Sequence, residues 1–312
     1  MSIAEAGEFG LIARVVARLE NGPTTLLGPG DDSAIVAAPD GRIVASTDVL
    51  VEGRHFRRDW SSGADVGHRA AAANLADIAA MGAVPTALLV GLCAPADLEL
   101  SWAEELAGGL SDEAALTGAS VVGGDTSASP TLTIAVTALG DLGGRKPVLR
   151  SGAQPGDVIA IAGRVGHAAA GYTVLSRGFR TPKALVEAYR RPAVPYEAGP
   201  AAARAGATAM IDVSDGLLQD LGHIAQASVV GVDVSTAAFD VSDQMRDAAA
   251  ALGVDPLQWI LGGGDDHALV ATFPPEAALP PGWTAIGKVH ESTGVTVDGK
   301  PWSGPVGWDH FR

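Results

Sequence analysis

The chain has 312 residues, 47% of them hydrophobic and 18% charged, with a formal net charge of −15. That is enough apolar mass for two packed cores, and it excludes wholesale disorder. The acidic excess speaks against a nucleic-acid backbone or an anionic membrane surface as partner, but not against a nucleotide, because bound cations can invert the local field.

Phe9–Leu19 has helical spacing. Ser33–Ala38 and Arg42–Asp48 read as strands around a Pro39-Asp40-Gly41 turn, the signal of a hairpin. Val51–Gly63 mixes charge and aromatics, as a loop over a site would. Asp65–Met81 is an alanine-rich helix closed by Gly82. Val84–Cys93 is expected to be a strand, Leu100–Thr117 a helix after a Ser101 cap, Ala119–Val122 a short strand and Thr131–Gly140 another. The uncharged stretch from Ile78 to Ala96 is broken by Gly82, Pro85, Gly91 and Pro95, so no membrane span is expected there. The single Cys93 rules out a disulfide framework and reads as a buried, inert thiol suited to a reducing cytoplasm. The N-terminus has no basic-then-apolar signal pattern.

Leu142–Gly156, rich in turn formers, is the expected boundary between domains 1–143 and 144–312. Beyond it come a strand at Asp157–Ala162, a helix from about Gly166 and a proline-broken segment to Pro200. A strand at Thr208–Asp212, a helix from Ser214, a strand near Gly231–Val234 and further alternation to Val297 complete the second half. Both halves are α+β mixtures.

Six aspartate motifs span the chain: Gly30-Asp-Asp32, Ser46-Thr-Asp48, Asn74-Leu-Ala-Asp77, Gly123-Gly-Asp-Thr126, Asp212-Val-Ser-Asp-Gly216 and Gly263-Gly-Asp-Asp266. Carboxylates a few Å apart repel by ~4 kcal/mol per pair at an effective dielectric near 20. Gathered in one cleft, they need protons or cations to neutralise them, and hard divalent cations holding a polyphosphate are the natural answer. Each motif has a plainer reading. Asp77 could bridge two helices. Asp48 and Gly-Gly-Asp-Thr could sit in turns, and Ser214 could simply N-cap a helix with Asp212 and Asp215 near its positive end. Recurrence of six such motifs in one chain favours the magnesium-nucleotide reading.

Gly282–Lys288 fits the spacing of a phosphate-binding loop, but Val289 replaces its metal-binding hydroxyl and the segment is strand-like. His55 has no second histidine at ligand spacing. Its neighbours Arg54, Arg57 and Arg58 could offer positive charge to an anionic substrate, or form a solvated loop. No nucleophile elbow is present.

Read in order, these motifs resemble the thiamine-monophosphate kinase family. The likeness runs from Gly7-Glu-Phe-Gly-Leu-Ile-Ala-Arg14 through Gly53-x-His55-Phe56, Leu149-Arg-Ser-Gly-Ala-x-Pro-Gly-Asp157, Ile211-Asp-Val-Ser-Asp-Gly-Leu217 and Leu221-Gly-His-Ile224 to Gly307-Trp-Asp-His-Phe311. The resemblance implies a two-domain α+β fold shared with aminoimidazole-ribonucleotide synthetase. In that fold the sheet of an N-terminal α/β domain pairs into a barrel across a homodimer, and a sandwich-like C-terminal α/β domain completes the site. It implies ATP-dependent phosphorylation of thiamine monophosphate to thiamine diphosphate, the last step of its biosynthesis. By motif, Asp32, Ser46, Thr47, Asp48, Asp77, Asp125, Asp212 and Asp215 would hold several Mg²⁺, with Asp48 and Asp125 most critical. Gly124, Asp125, Arg150 and Ser214 would contact ATP, and His55, Asp265 and Trp308 the thiamine phosphate. The chain departs from the family pattern at Asp265, where Glu is typical, at His267, where Tyr is common, and at Pro305, where a ring-stacking aromatic is expected and Trp308 or Trp302 could substitute. The rival readings are a cyclising sister synthetase of the same fold and a non-catalytic divalent-metal protein.

Overall fold

The computed structural model describes residues 2–29 and 34–308, without the side chains of residues 4, 7, 8 and 9. Asp31 and Asp32 of the first acidic motif, and the Asp309-His-Phe311 tail, lie outside the described residues. The chain divides into two compact units, Met1–Ile78 with Ala83–Gly144, and Ala79–Gly82 with Arg145–Arg312.

The first unit opens with α1 (Ile3–Val16), six residues earlier than the apolar spacing suggests. Its start is set by a capping box: the Ser2 hydroxyl accepts from the Glu5 amide and the Glu5 carboxylate accepts from the Ser2 amide. The strands β1 (Thr25–Leu27) and β2 (Ile35–Val36) form a small antiparallel pair. Next come β3 (Val44–Val51), α2 (Gly63–Ala80), β4 (Val84–Ala94), α3 (Leu100–Ala115), β5 (Ser120–Ala128) and β6 (Thr133–Asp141). The expected hairpin of the second and third strands does not form. The turn is present, with the Asp40 carboxylate accepting from the Arg42 and Gly144 amides. However, β2 pairs with β1, while β3 pairs with β6 over its whole length. Nor does Ser101 cap α3; its N-cap is Glu99, without a side-chain bond.

The main sheet of this unit has the order β3-β6-β4-β5, so β3 and β5 are its two edges. On β6, Ile134, Val136 and Ala138 are fully buried and alternate with partly exposed residues, which marks one covered face and one open face. Ile78 of α2 sits against Gly140 on the covered face, where a Cβ would collide with it. The helices α2 and α3 approach closely because Gly67 meets Leu106 O and Gly109 meets Ala64 O with no room for a side chain. His68 and Glu113 bridge the same two helices at 2.8 Å.

The second unit contains β7 (Val158–Ala162), α4 (His167–Ser176), α5 (Lys183–Arg190), α6 (Ala198–Arg204), β8 (Ala209–Val213), α7 (Leu217–Ser228), β9 (Gly231–Val234), α8 (Asp243–Leu252), α9 (Pro256–Gly262), β10 (Ala268–Phe273), β11 (Trp283–His290) and β12 (Gly294–Val297). They build a six-stranded sheet in the order β12-β9-β11-β7-β10-β8. Only β12 and β9 are parallel. The helix α7 packs on β8, β9 and β12. The segment resembling a phosphate loop is the strand β11, with Trp283 and Ile286 buried. Among the described residues, no helix is long and apolar enough to cross a membrane.

Candidate active site

In the first unit, β3 and α2 bring four motif residues together. Ser46 and Asp48 alternate onto the covered face, because their partners on β6 are the buried Ala138 and Val136. Helix α2 runs over that face. The Ser46 hydroxyl donates to Asp77 Oδ2 at 2.6 Å, and the Asp48 amide donates to Asn74 Oδ1 at 3.0 Å. Asn74 is fully buried and donates in turn to Ala70 O at 2.9 Å, which fixes its amide. The plainer reading of Asp77, a helix–helix bridge, therefore gives way to a helix–strand contact. Thr47 faces the other side, where its hydroxyl donates to Val136 O and accepts from the Thr137 hydroxyl.

Gly124 and Asp125 are on β5, which continues to Ala128 instead of ending in a turn after Val122. Gly124 pairs with Val90, and Asp125 with Gly91. A Cβ at Gly124 would strike Val90 O, so the glycine is required by the approach of β4 just past its register shift at Leu88/Leu89. Asp125 shares its row with Gly91, Ala135 and Val49, on the open face. It is thus three strand spacings, ~14 Å, from Asp48 and on the opposite face. This unit does not bring Asp125 to the Asp48–Asp77 group.

His55 follows β3, and its Nδ1 accepts from the Val51 amide at 2.9 Å. The neutral ring therefore carries its hydrogen on Nε2. The basic loop around it is largely paired: Arg57 with Asp59 at 2.9 Å, Arg58 with Glu52 at 2.6 Å, and Arg57 over the Trp60 ring at 4.7 Å.

In the second unit, two loops are knitted together where β8 ends and β10 begins, which are neighbours through the Val213–Ala268 pair. The Asp265 amide donates to Ser214 O at 2.8 Å, and the His267 amide to Val213 O at 3.1 Å. Gly264 lies against Ser214 O with no space for a side chain. Asp265 and His267 both take positive φ, 67° and 51°, a conformation that costs a non-glycine residue ~1 kcal/mol or more and persists where the surroundings dictate it. His267 Nδ1 meets Asp212 Oδ2 at 3.1 Å, both side chains being buried. Trp308 is half exposed, and its backbone closes on the same place: its amide donates to Asp215 O at 2.9 Å, and its carbonyl accepts from Gln219 at 2.8 Å. Arg150 is exposed on the segment before β7, its carbonyl accepting from the Ser228 hydroxyl at 3.1 Å.

Ser214 does not cap α7. The helix begins at Leu217 with Gly216 as N-cap, and the amides of Asp215 and Gly216 are taken by the Asp220 carboxylate. Burial, reinforced by the charges of Asp212 and Asp215, pushes Asp220 up to about 7. Asp266 is likewise pushed up to about 7, chiefly by burial, with Asp265 adding to it. Neither residue is given a role by the motifs. Asp220 is an ordinary acid four residues past a glycine, and Asp266 is the second of an Asp-Asp pair whose first member carries the resemblance.

The side chains the motifs offer to a cation are uniformly hard oxygens: Ser46, Thr47, Asp48 and Asp77 on β3 and α2, Asp125 apart from them on β5, and Asp212 and Asp215 in the second unit. That chemistry fits Mg²⁺ and not a soft cation. Among the described residues, no group of three His, Cys, Asp or Glu side chains is gathered closely enough to hold a metal unaided.

Two family models cover most of the chain. The "AIR synthase related protein, N-terminal domain" matches residues 30–142, and the corresponding C-terminal domain matches residues 154–299. The thiamine-monophosphate kinase of Mycobacterium tuberculosis is 49% identical over 312 residues, covering 99% of this chain and 93% of the relative. The chain belongs to the thiamine-monophosphate kinase family. The solved structure of the Aquifex aeolicus family member superposes with a TM-score of 0.79 at 32% identity, covering 97% of this chain and 99% of that one. A structure of AaThiL complexed with AMPPCP and TMP reaches 0.82 at 34% identity, over 100% and 99% of the two chains. The two-domain fold expected from the motifs is therefore the family's own.

Proposed function

We propose that this chain phosphorylates thiamine monophosphate, transferring the γ-phosphoryl group of ATP to its phosphate and giving thiamine diphosphate and ADP. The observation that supports this most strongly is full-length similarity to the kinases, including one solved in complex with AMPPCP and TMP. The division of labour follows the two units, residues 1–143 serving ATP, cation binding and dimerisation, and 144–312 completing the site.

The acceptor is itself a phosphate, a monoester with a second pKa near 6, so it is mostly a dianion at pH 7 and needs no base to remove a proton. On this reading the site residues act by positioning and not by general acid–base transfer. Mg²⁺, when bound, would supply charge neutralisation between the ATP polyphosphate and the acceptor phosphate. Asp32, Ser46, Thr47, Asp48, Asp77, Asp125, Asp212 and Asp215 are its proposed ligands. The Ser46–Asp77 and Asp48–Asn74 bonds hold the β3 group in one arrangement before ligand arrives. Gly124, Asp125, Arg150 and Ser214 are the proposed ATP contacts. His55 is oriented by Val51 so that an Nε2 hydrogen can be donated to the thiamine phosphate. Asp265 and Trp308 are the proposed contacts to the thiazolium–pyrimidine portion. The step is direct in-line displacement without a phospho-enzyme.

A cytoplasmic homodimer is part of the same proposal. The first-unit sheet ends in the edge strands β3 and β5 and has an open face on which Val49 and Leu89 are exposed. Closing two such sheets into one barrel would remove those edges.

The test is ADP release with ATP, Mg²⁺ and thiamine monophosphate, with thiamine diphosphate followed by chromatography. Equal yields of ADP and thiamine diphosphate, absent with free thiamine, are expected. ATP binding without turnover on any thiamine phosphate would move the assignment to a cyclising synthetase of the same fold.

A further inference from the structure

The segment Asp212–Gly216 carries two proposed Mg²⁺ ligands, Asp212 and Asp215, and a proposed ATP contact, Ser214, yet it has little structure of its own. It leaves β8 after Val213 and does not become helical until Leu217. Gly216 takes φ 138°, and a Cβ there would strike Gly262 and Gly307, so the chain makes a sharp turn that only glycine permits. What holds the turn is Asp220. Its side chain is 2% exposed, and a single oxygen, Oδ2, accepts from the Asp215 amide at 3.1 Å and from the Gly216 amide at 3.0 Å. Those amides would otherwise be open to an anion at the start of α7. Here the chain itself fills that position. From the other side, Asp265, His267 and Trp308 donate their amides to Ser214, Val213 and Asp215. The directions in which Asp212, Ser214 and Asp215 project are thus set by backbone bonds on both sides, and the Asp220 side chain supplies two of them.

We infer that Asp220 is a positioning residue for the cation-holding segment, acting through the Asp215 and Gly216 amides and not as a ligand itself. The inference rests on the reading of Asp212 and Asp215 as Mg²⁺ ligands. Because one oxygen receives both amide hydrogens, a carbonyl oxygen in the same place can do the same, since it too has two lone pairs. An asparagine should therefore replace Asp220 in this role, whereas it could not replace an ionised ligand.

The experiment uses full-length protein with Mn²⁺ as the probe, titrated by electron paramagnetic resonance in the presence of a non-hydrolysable ATP analogue. D215N defines the class of sites that depends on the segment. D220N is expected to bind that class within about threefold of wild type, and D220A to weaken it ~10-fold or more, the range seen when an outer-shell partner of a ligand is removed. ADP release should show the same order in its Mg²⁺ dependence, with D220N close to wild type. If D220N loses as much Mn²⁺ affinity as D215N, Asp220 is a ligand and the inference is overturned. Normal Mn²⁺ binding by D220A overturns it equally. If D212N and D215N both bind Mn²⁺ like wild type, the metal reading of the segment fails first and the inference falls with it. The comparison of D220N with D215N decides the matter even where D220A is too unstable to purify.

Discussion

Asp266 anchors the loop that carries Asp265, and the way it is buried makes a prediction about stability. Its Oδ1 accepts from the Ala168 amide at the start of α4 at 3.0 Å, while Oδ2 is buried without a hydrogen-bond partner. A buried carboxylate with one oxygen unsatisfied prefers to keep its proton, which is why its pKa rises from 3.8 to about 7. The folded chain then binds that proton more tightly than the unfolded chain. Between about pH 4 and 7 unfolding releases a proton, so the contribution of Asp266 to stability falls as pH rises through this window. A rise of roughly three pKa units corresponds to ~4 kcal/mol at neutral to alkaline pH. Asp266→Asn keeps the shape and an acceptor for Ala168 but cannot ionise. In metal-free buffer, urea unfolding followed by tryptophan fluorescence should find the variant no more stable than wild type near pH 4. Its relative stability should then grow steadily, reaching a few kcal/mol, a midpoint shift of about 1 M or more, by pH 8. A deficit of constant size at every pH would mean that Asp266 is ionised and well satisfied throughout, and the reasoning would be refuted.

Three further outcomes are expected. Asp48→Asn should lower kcat by ~10²–10³-fold, about 3–4 kcal/mol of barrier, while far-UV circular dichroism stays native; near-normal turnover at low Mg²⁺ would sink the role of β3 in holding a cation. His55→Ala removes one charge-assisted hydrogen bond and should raise KM for thiamine monophosphate ~10-fold with kcat little changed. An effect confined to ATP would mean the loop serves the other ligand. Gly67→Leu places a side chain where Leu106 O lies and should destabilise the first unit by ~2 kcal/mol or more, read as a lower thermal midpoint; an unchanged midpoint would show that α2 and α3 can separate freely.

The contact between β3 and α2 in the candidate site was partly legible because its residues are short polar side chains in unusually apolar company. Asn74 and Asp77 interrupt a run, residues 70–80 of α2, that is otherwise Ala, Leu and Ile, and each meets a β3 partner in the structure. The strand expected at 42–48 from its flanking turn is present, at 44–51, but its partner was not legible. A turn signal beside a strand suggests pairing with the preceding segment, whereas register here is decided by which face α2 covers, a tertiary fact. Helix starts were read from hydroxyls. Ser214 breaks that rule because a buried acid further along the chain takes the amides first, while the capping box of Ser2 and Glu5, which does start a helix, was not read. The separation of Asp125 from Asp48 could not be seen either, since it follows from strand order and not from spacing along the chain.

That separation bears on how the acidic motifs divide their work. Carboxylates gathered without cations would repel, and within each unit the fold avoids the problem by dispersal and by bonding. Asp125 is kept three strands from Asp48, Asp77 is bonded to a hydroxyl, Asp212 to His267, and Asp220 to two amides. Each unit can therefore fold at low Mg²⁺ with its acids tolerated singly. On this argument the chain should be folded without metal, and Mg²⁺ should raise its thermal midpoint strongly only when ATP is present, because the polyphosphate supplies the oxygens that dispersed ligands lack. A midpoint that rises as far with Mg²⁺ alone would instead require a cluster already assembled in the protein.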